Sequence, residues 1–345
     1  SACLVGSEMC IRDRLGFDRS AISFTSNDTQ ASEFVFARSI NATINLDAYE
    51  HIAFLEEAAG LPETVSLRFN PGGVFSLGTD IMDHPEGSKF GMTKEQLFQG
   101  YQDLKDKGVK SFGLHAFLAS NTVTNDYYPT LAAQLFELAV EIKNELGISL
   151  DFINLSGGIG IDYSAADEQN DIAVIGEGVH QKFDDILVPN GLSQIKIYTE
   201  LGRYMLASHG HLITKVLHLK DTYRHYVGVD ASAVNLLRPA MYDAYHHITN
   251  ISNPQGTVQV VDIVGSLCEN NDKFAKRREL PEARVGDTLV IHDTGAHGFS
   301  MGYNYNGRLR SAEILLREDG QAQMIRRAET PEDYFATLYG FNFDR

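Results

Sequence analysis

Cys268 is the only cysteine after Cys10, and it stands directly before Glu269 in the stretch GSLCEN (265–270). A lone cysteine most often fills a buried core position, whereas a thiol beside a charged group can act in catalysis. The stretch lies between a strand-like run, VQVVDIV, and the charged segment NNDKFAKRR, which we predict to be a loop. These residues are therefore a candidate catalytic pair, and the core alternative stays open.

Two further stretches follow strand-like runs, where parallel barrels build their active sites. In SGGIGIDY (156–163) the glycines would let backbone amides approach a phosphate closely. The third glycine of a dinucleotide fingerprint is missing, and a plain tight turn fits the residues equally well. In TELGRYM (199–205), Glu200 and Arg203 would lie at the end of the next strand, with a surface ion pair as the alternative.

The stretch LRPAMYDAYHH (237–247) puts Arg238 and Tyr242 on the same side of the chain if the segment is helical. Arginine is the natural bidentate partner of a carboxylate, so the pair is a candidate for binding an acidic substrate group. A solvated arginine on a capped helix is the alternative. The segment GAHGFSMGYNYNGR (295–308) is rich in Gly, Asn and Tyr and is predicted to be a loop.

Charge and composition exclude several classes of function. The chain has 345 residues and a net charge of −17, from 29 basic and 46 acidic side chains, which argues against nucleic acids and anionic membranes as partners. No apolar run is long enough to span a membrane, and three cysteines without disulfide spacing favour a cytoplasmic protein. The histidines at 115, in HGH (209–211) and in HH (246–247) lack metal-site spacing, so we expect no metal.

The elements that must position these residues alternate between strand and helix from residue 20 to about 200. Short apolar or β-branched runs are separated by longer helical stretches; they are SAISFT (20–25), NATINL (41–46), TVSLRF (64–69), SFGLHAF (111–117), SLDFINL (149–155) and QIKIYT (194–199). The clearest helix is 127–146, whose apolar residues form one stripe and which Gly147 ends. This alternation predicts an α/β fold with a parallel sheet or barrel.

After about residue 210 the strand-like runs follow one another without long helices between most of them, which predicts a mainly antiparallel β domain. We therefore expect two domains, 1–210 and 211–345, with a last segment (about 330–345) that packs back toward the first. Six strand–helix units are visible in the first domain, whereas a closed (β/α)8 barrel needs eight.

Taken in order, these segments resemble the diaminopimelate decarboxylases, pyridoxal-phosphate enzymes of the alanine-racemase-like fold that are related to ornithine and arginine decarboxylases. The resemblance runs from about residue 20 to 340 and is strongest in TELGRYM, RPAMYDAYH, VGSLCENND and GDTLVIHDTGAHGFSMGYNYNGR. It implies a pyridoxal-phosphate-binding (β/α)8 barrel followed by a β domain, and a homodimer with shared active sites. The implied reaction converts meso-2,6-diaminopimelate to L-lysine and CO2, the last step of lysine biosynthesis.

The resemblance also implies which residues would bind the cofactor: Phe117, Ser120, Gly157, Gly158, Glu200, Gly202, Arg203 and His297. Glu200 matches the carboxylate that pairs with the pyridine nitrogen, where a neighbouring negative charge raises the pKa of that nitrogen. Cys268 matches the general acid that protonates the α-carbon after CO2 has left.

The substrate contacts implied in the same way are Arg203, Arg238, Tyr242, Glu269 and Tyr305. The distal end of diaminopimelate is itself an amino acid, so arginine would suit its carboxylate and Glu269 its ammonium group. Ornithine and lysine end in an ammonium group only, and a pocket for them should need no additional arginine.

Several positions depart from the family pattern. Phe117 stands where the family usually has the histidine that stacks on the cofactor ring, and phenylalanine can stack there but cannot hydrogen-bond. His297 replaces a tyrosine and could make its contact pH-sensitive. Ser156 stands in place of a further glycine, and Leu201 in place of a proline.

The largest departure concerns the lysine that binds the cofactor covalently. In the family it lies on the first barrel strand, whereas this sequence has no lysine before Lys89, which matches a family lysine that pairs across the dimer, here with Asp272. We therefore expect an N-terminally truncated fragment that is nearly inactive as it stands. Residues 1–14 match the family poorly and resemble translated adapter sequence, so we expect no function for Cys3 or Cys10.

Three other functions stay open. An ornithine- or arginine-type decarboxylase has the same cofactor chemistry, and a racemase of the same fold fits the Cys268–Glu269 pair less well. A decarboxylase relative that lost its lysine could instead bind and regulate a paralogue. Retention of a full set of site residues argues against this last function, since a pure binding module needs no substrate cage; the set is Glu200, Arg238, Cys268 and Glu269.

Overall fold

The computed structural model describes residues 3–4, 15–18, 21–73, 84–164 and 170–340. It divides into two units, Ser1–Ile161 with Glu168–Tyr204, and Asp162–Asp167 with Met205–Arg345. The change of unit therefore comes at Tyr204–Met205 rather than at the predicted 210/211, and a short segment after the glycine-rich stretch joins the second unit. Cys10 and residues 341–345, for which we made predictions, lie outside the described residues.

The first unit is built on a seven-stranded sheet in which each strand pairs parallel with the next along the chain. Its strands are β1 (Cys3–Leu4), β2 (Ser23–Ser26), β3 (Thr43–Leu46), β4 (Thr64–Arg68), β5 (Ser111–His115), β6 (Phe152–Asn154) and β7 (Lys196–Tyr198). Every predicted strand run overlaps one of β2 to β7. β1 was not predicted, because it falls in residues 1–14, for which we expected no role. In the part of the chain that the structure describes, β1 and β7 do not pair with each other.

Helices follow most of these strands, as the alternating pattern predicted. They are α1 (Ala31–Ser39), α2 (His51–Ala59), α3 (Lys94–Asp106), α4 (Tyr127–Leu146), α5 (Ile172–Lys182) and the short α6 (Gly202–Leu206). α4 has the predicted bounds, and Gly147 ends it in the left-handed conformation, with φ of 63°. None of the helices that the structure describes is both long and apolar enough to cross a membrane.

The two faces of the parallel sheet differ in polarity. On one face Ile44, Leu67, Leu114 and their neighbours are buried in the same apolar core as residues of the helices. On the other face Thr25, Asn45, Ser66 and Gly113 are neighbours in register across four strands. Nearer the carboxyl ends of the strands, the same face carries a second row in register, which consists of Arg68, His115, Asn154 and Tyr198. The polar face therefore leads to the strand ends where the glycine-rich and Glu200 stretches begin.

The second unit contains a six-stranded sheet and a separate two-stranded hairpin. The strands are β8 (Leu212–Asp221), β9 (His225–Val229), β10 (Ile248–Asn250), β11 (Val258–Val264), β12 (Lys273–Pro281), β13 (Thr288–Ile291), β14 (Glu313–Leu316) and β15 (Ala322–Arg326), and the helices are α7 (Arg238–Tyr242) and α8 (Pro331–Phe335). The sheet has the strand order β10-β13-β8-β9-β11-β12, and β14 and β15 form the hairpin. All its pairings are antiparallel except that of β9 with β11.

β12 corrects a prediction. The charged segment NNDKFAKRR was expected to be a loop, but most of it forms this strand and pairs with β11. Phe274 and Leu280 are buried in the core of the unit, whereas Lys276 pairs with Asp243 at the surface. Charge content hid the strand because its apolar residues are few and its register with β11 shifts at a bulge.

Candidate active site

The glycine-rich stretch leaves β6 as a strained turn. Ser156 has a φ of 57°, a left-handed conformation that glycine adopts without strain and that other residues seldom take. Its backbone N–H donates to Asn154 Oδ1 at 2.8 Å, and the Tyr128 hydroxyl donates to its carbonyl. Burial raises the pKa of Tyr128, so this hydroxyl stays a neutral donor.

The next two glycines are needed for space. A Cβ on Gly157 would lie 2.8 Å from the carbonyl oxygen of Glu200. A Cβ on Gly158, whose φ is 121°, would lie 2.5 Å from the Tyr127 ring and 2.9 Å from the Ala119 carbonyl oxygen. The stretch therefore presents bare backbone at the carboxyl end of β6, which is the form that a phosphate-binding loop takes.

Glu200 is fixed beside this loop. Its backbone N–H donates to the Ser156 carbonyl at 2.7 Å, and Asn154 Nδ2 donates to its carboxylate Oε1 at 2.6 Å. Asn154 lies on β6 and Glu200 just after β7, so two neighbouring strand ends hold one carboxylate. A carboxylate oriented in this way can stabilise a positive charge placed against it.

The other predicted cofactor residues of this unit lie around the same loop. Arg203 Nη2 is 3.3 Å from Ser120 Oγ. Phe117 Cε2 is 3.7 Å from the point that a Cβ on Gly157 would occupy. The structure thus brings Phe117, Ser120, Gly157, Gly158, Glu200, Gly202 and Arg203 to one end of the parallel sheet.

Two charged residues on the polar face were not predicted. Arg68 Nη1 donates to Asp47 Oδ1 at 2.9 Å, and both side chains are buried. Arg68 also stacks on Phe90, 4.4 Å from the ring centre, and it lines one small pocket with Phe90 and Phe117. The available signal was a charge at the end of each apolar run, Asp47 after NATINL and Arg68 within TVSLRF.

His115 lies next to Arg68 on the same face and is only 2% exposed. Within the described structure neither of its ring nitrogens has a hydrogen-bond partner. Burial, and then the charge of Arg68, hold the pKa of His115 well below its usual value, so the ring is neutral. Among the described residues, no group of three or more His, Cys, Asp or Glu side chains is arranged to bind a metal ion.

In the second unit, Arg238 begins the helix on which the sequence put it. The residue is only 3% exposed. Its Nη1 lies 2.8 Å from His246 Nε2, and its guanidinium group stacks 4.2 Å from the centre of the Tyr163 ring. Tyr242, at the other end of the helix, is 44% exposed.

The loop that carries Cys268 is fixed by its own neighbours. The Cys268 backbone N–H donates to Asn306 Oδ1 at 2.7 Å, while the thiol is exposed. The Glu269 side chain accepts the Asn271 N–H at 3.0 Å. The thiol is thus not a core residue, and the core alternative for Cys268 is wrong. Tyr305, which precedes Asn306, is 43% exposed.

Asp272 closes this loop. Its two carboxylate oxygens accept backbone N–H groups, Ala233 at 2.7 Å and Leu267 at 2.9 Å. Burial raises the pKa of the Asp272 carboxyl group, and the two donors oppose that rise. The residue is only 3% exposed, which argues against the predicted pair with Lys89 across a dimer, because little of the carboxylate is left for an ammonium group.

His297 also lies in the second unit. It is exposed and has a φ of 56°, in the left-handed region that a non-glycine residue seldom adopts. The nearby Gly295 is required sterically, since a Cβ there would lie 2.0 Å from the Leu206 carbonyl oxygen. The second unit therefore holds the rest of the predicted set, which is Arg238, Tyr242, Cys268, Glu269, His297 and Tyr305.

Known proteins of similar sequence identify the family. A sequence model described as "Pyridoxal-dependent decarboxylase, C-terminal sheet domain" matches residues 35–295. Protein TabA of Pseudomonas amygdali pv. tabaci is 38% identical over 332 residues, which cover 96% of this chain and 77% of TabA. The diaminopimelate decarboxylase of Methanothermobacter thermautotrophicus is 34% identical over 323 residues, 92% of this chain and 74% of that relative.

Solved structures agree with this family. One match is diaminopimelate decarboxylase from Helicobacter pylori in complex with L-lysine, with a TM-score of 0.87 and 26% sequence identity. The match covers 97% of this chain and 83% of the H. pylori chain. The M. jannaschii enzyme, also with L-lysine, matches with a TM-score of 0.86 and 30% identity over 97% and 78% of the two chains. These matches confirm the predicted fold class, a TIM-like barrel followed by a β domain.

The chain is thus a pyridoxal-phosphate-dependent carboxy-lyase by fold and by sequence. It belongs to the pyridoxal-dependent decarboxylases, and within them it is similar to the diaminopimelate decarboxylases.

The residues of the first unit fit pyridoxal phosphate. The bare backbone at Gly157 and Gly158 suits the phosphate, because a side chain at either position would collide with neighbouring atoms. Arg203 and Ser120 add a cation and a hydroxyl group. Glu200, held by Asn154, supplies the negative charge that a protonated pyridine nitrogen requires.

Proposed function

We propose that the protein decarboxylates meso-2,6-diaminopimelate to L-lysine and CO2. The observation that carries the proposal is the oriented guanidinium of Arg238, and the second unit also holds the opposite charge, the carboxylate of Glu269. They complement the carboxylate and ammonium groups at the distal end of that substrate. The relatives named as diaminopimelate decarboxylases support the same choice.

Residues of the first unit would bind and orient the cofactor. Pyridoxal phosphate, when bound, supplies the electron sink for the electron pair that remains on the α-carbon when CO2 leaves. The glycine loop and Arg203 would hold its phosphate, and Glu200 would keep a proton on its pyridine nitrogen. Phe117 would cover one face of the ring by stacking.

Residues of the second unit would bind the substrate and return a proton to it. Arg238 and Tyr242 are the proposed partners of a substrate carboxylate. Glu269 would accept the distal ammonium group. The exposed thiol of Cys268 would donate its proton to the α-carbon after CO2 has left.

The strands of the first unit bear on the position of the lysine that would bind the cofactor covalently. Among the strands that the structure describes in the first unit, the only lysine is Lys196, an exposed residue at the start of β7. The resemblance assigns the covalent lysine to an earlier strand. The test is therefore specified for the full-length gene product and includes a binding measurement that needs no covalent bond to the cofactor.

The test compares CO2 release from meso-diaminopimelate, L-ornithine and L-arginine by the full-length product with pyridoxal phosphate. We expect turnover of diaminopimelate only, because the two basic amino acids lack the distal carboxylate that Arg238 would bind. Calorimetry with the same ligands should give the same order of affinities. Turnover of ornithine without turnover of diaminopimelate would refute the proposal.

A second candidate, which the sequence left open, is a ligand-binding relative without catalysis. This protein would bind pyridoxal phosphate and diaminopimelate but release no CO2, even as the full-length product. The predicted inactivity of the present chain belongs to the same test: if the 345-residue chain decarboxylates diaminopimelate, that prediction is wrong.

We further propose a cytoplasmic homodimer with shared active sites. The hairpin β14–β15 supports association, because Ile314, Leu316, Met324 and Ile325 are each more than half exposed, and an isolated two-stranded hairpin is marginally stable in water. Exposed apolar groups of this kind mark surfaces that another protein surface covers. Analytical ultracentrifugation should give the mass of two chains, and a monomer at micromolar concentration would contradict the proposal.

A further inference from the structure

Two aromatic residues, His246 and Tyr163, contact the guanidinium group of Arg238. His246 accepts a hydrogen bond from Nη1 at 2.8 Å, and Tyr163 stacks on the guanidinium plane at 4.2 Å. The rings of Tyr163 and His246 also touch edge to face, with their centres 4.9 Å apart. Two aromatic rings therefore fix both the plane and one edge of the same guanidinium group.

The hydrogen bonds of His246 fix its tautomer. Its Nδ1 lies 2.8 Å from the backbone carbonyl oxygen of His292, and since a carbonyl can only accept, Nδ1 carries the hydrogen. Nε2 then has a lone pair and accepts the N–H of Arg238. His246 is fully buried, so its ring cannot turn to solvent, and it offers Arg238 an acceptor in a single direction.

Tyr163 connects this cluster to the cofactor loop along the chain. It follows the glycine-rich stretch 156–160 closely, and it belongs to the same structural unit as Arg238 and His246. Its ring is buried, with 6% exposed. The arginine is thus packed against a ring whose backbone continues directly from the loop that would hold the phosphate.

We propose that His246 and Tyr163 are positioning residues that hold the Arg238 guanidinium as a receptor for a carboxylate, and thereby select amino acids that carry a distal carboxylate. The inference rests on the proposed function, which makes Arg238 a substrate contact. A guanidinium group that is already oriented before binding loses little conformational entropy when a ligand binds. Its planar shape allows two parallel hydrogen bonds to a carboxylate that lies in the same plane.

The test measures ligand preference in the pyridoxal-phosphate-loaded, full-length protein. His246→Leu removes the acceptor, and His246→Gln restores an oxygen that can face Arg238. We expect His246→Leu to weaken binding of meso-diaminopimelate about tenfold and binding of L-lysine, which lacks the distal carboxylate, less than twofold. His246→Gln should recover most of the loss.

The kinetic signature separates positioning from simple destabilisation. For His246→Leu we expect a higher KM for diaminopimelate with kcat within about twofold of the wild type, since the reacting carbon is untouched. Tyr163→Leu, which removes the stacked ring, should resemble His246→Leu. The matched control is His247→Gln, because this neighbouring histidine is exposed and its ring faces His292 rather than Arg238.

Two results would overturn the inference. One is an equal loss of affinity for diaminopimelate and lysine in His246→Leu. The other is a hydrogen on Nε2 of His246 in the wild-type protein, read from 15N NMR of labelled histidines. A wild type that does not prefer diaminopimelate to lysine would instead refute the proposed function, and the NMR tautomer would still decide the role of His246.

Discussion

At the scale of single residues, the atoms around a glycine determine how an alanine substitution changes stability and cofactor binding. Gly158 has both a left-handed backbone and no space, since a Cβ would lie 2.5 Å from the buried Tyr127 ring. Gly176, in the exposed part of α5, has nothing within 4 Å of its Cβ position. The same substitution should therefore have opposite effects at the two positions.

We predict that Gly158→Ala weakens the binding of pyridoxal phosphate at least tenfold and lowers the thermal midpoint of the cofactor-free protein. The reason is that the loop must move away from Tyr127 and Ala119 to fit the methyl group. Gly176→Ala should keep cofactor affinity and add about 0.5–1 kcal/mol to the free energy of unfolding. Absorbance titration and melting curves measure both, and equal cofactor affinity in the two variants would contradict the prediction.

Single residues also show which parts of the candidate site could be predicted from the sequence and which could not. Glycines 157 and 158 and Glu200 could be identified because their types follow strand runs and match known motifs. Asn154, which orients Glu200, could not, because an asparagine in an apolar run gives no sign of what it will face. His246 was considered only as part of a histidine pair for metal binding, and its bond to the His292 carbonyl depends on the pairing of β10 with β13, which no local pattern contains.

At the scale of elements, the loop 265–272 is held by one acidic side chain. Asp272 accepts the backbone N–H groups of Ala233 and Leu267, and its own N–H donates to the Glu269 carbonyl at 3.0 Å. Leu267 directly precedes Cys268, so Asp272 sets the backbone on which the thiol is mounted.

We predict that Asp272→Asn loosens this loop and destabilises the protein by about 1–3 kcal/mol, because the amide NH2 would face a backbone donor and leave one buried N–H unpaired. Hydrogen exchange at Leu267 and Cys268 should become faster, while exchange in β4 and β5 stays unchanged. Asp319→Asn, in the exposed turn between β14 and β15, is the control. Unchanged exchange at Leu267 would rule out the proposed clamp.

Elements also differ in how well the sequence predicted them. The buried parallel strands and α4 were recognised because their apolar residues are dense and regularly spaced. β12 was missed because its strand character depends on pairing with β11, and a charged surface strand with a bulge resembles a loop in composition. The polar face of the parallel sheet was not foreseen either, since short runs do not reveal which residues share a face.

A buried histidine on β5, beside an arginine on β4, should make the stability of the protein depend on pH. His115 has a folded-state pKa well below its usual value, because it is buried beside Arg68. As the pH falls, His115 is therefore protonated in the unfolded chain before it is protonated in the folded protein. The free energy of unfolding is unaffected by this difference above about pH 6.5 and decreases below it.

We predict that His115→Leu becomes more stable relative to wild type by about 1.4 kcal/mol when the pH is lowered from 7.5 to 5.5. Urea unfolding at the two pH values measures the difference. The control is His180→Gln, which changes a histidine whose side chain is 76% exposed. An identical pH dependence in His115→Leu and wild type would show that the buried ring does not titrate as proposed.

At the scale of the whole molecule, the predicted residues are divided between two units of one chain. The cofactor residues from Phe117 to Arg203 lie in the first unit, whereas Cys268 and Glu269 lie in the second. If the active sites of a homodimer are shared, Cys268 serves the cofactor of the other chain. A defect in either unit can then be compensated by a partner that carries a defect in the other.

We predict that mixing full-length Glu200→Gln and Cys268→Ala proteins, each nearly inactive alone, restores about one quarter of wild-type decarboxylation after the subunits exchange. Random pairing makes half of the dimers mixed, and each mixed dimer has one of its two sites intact. The activity should appear at the rate of subunit exchange, and exchange of either variant with itself is the control. If Cys268 completed the site of its own chain, no mixture would recover activity, because every site would then keep one of the two defects.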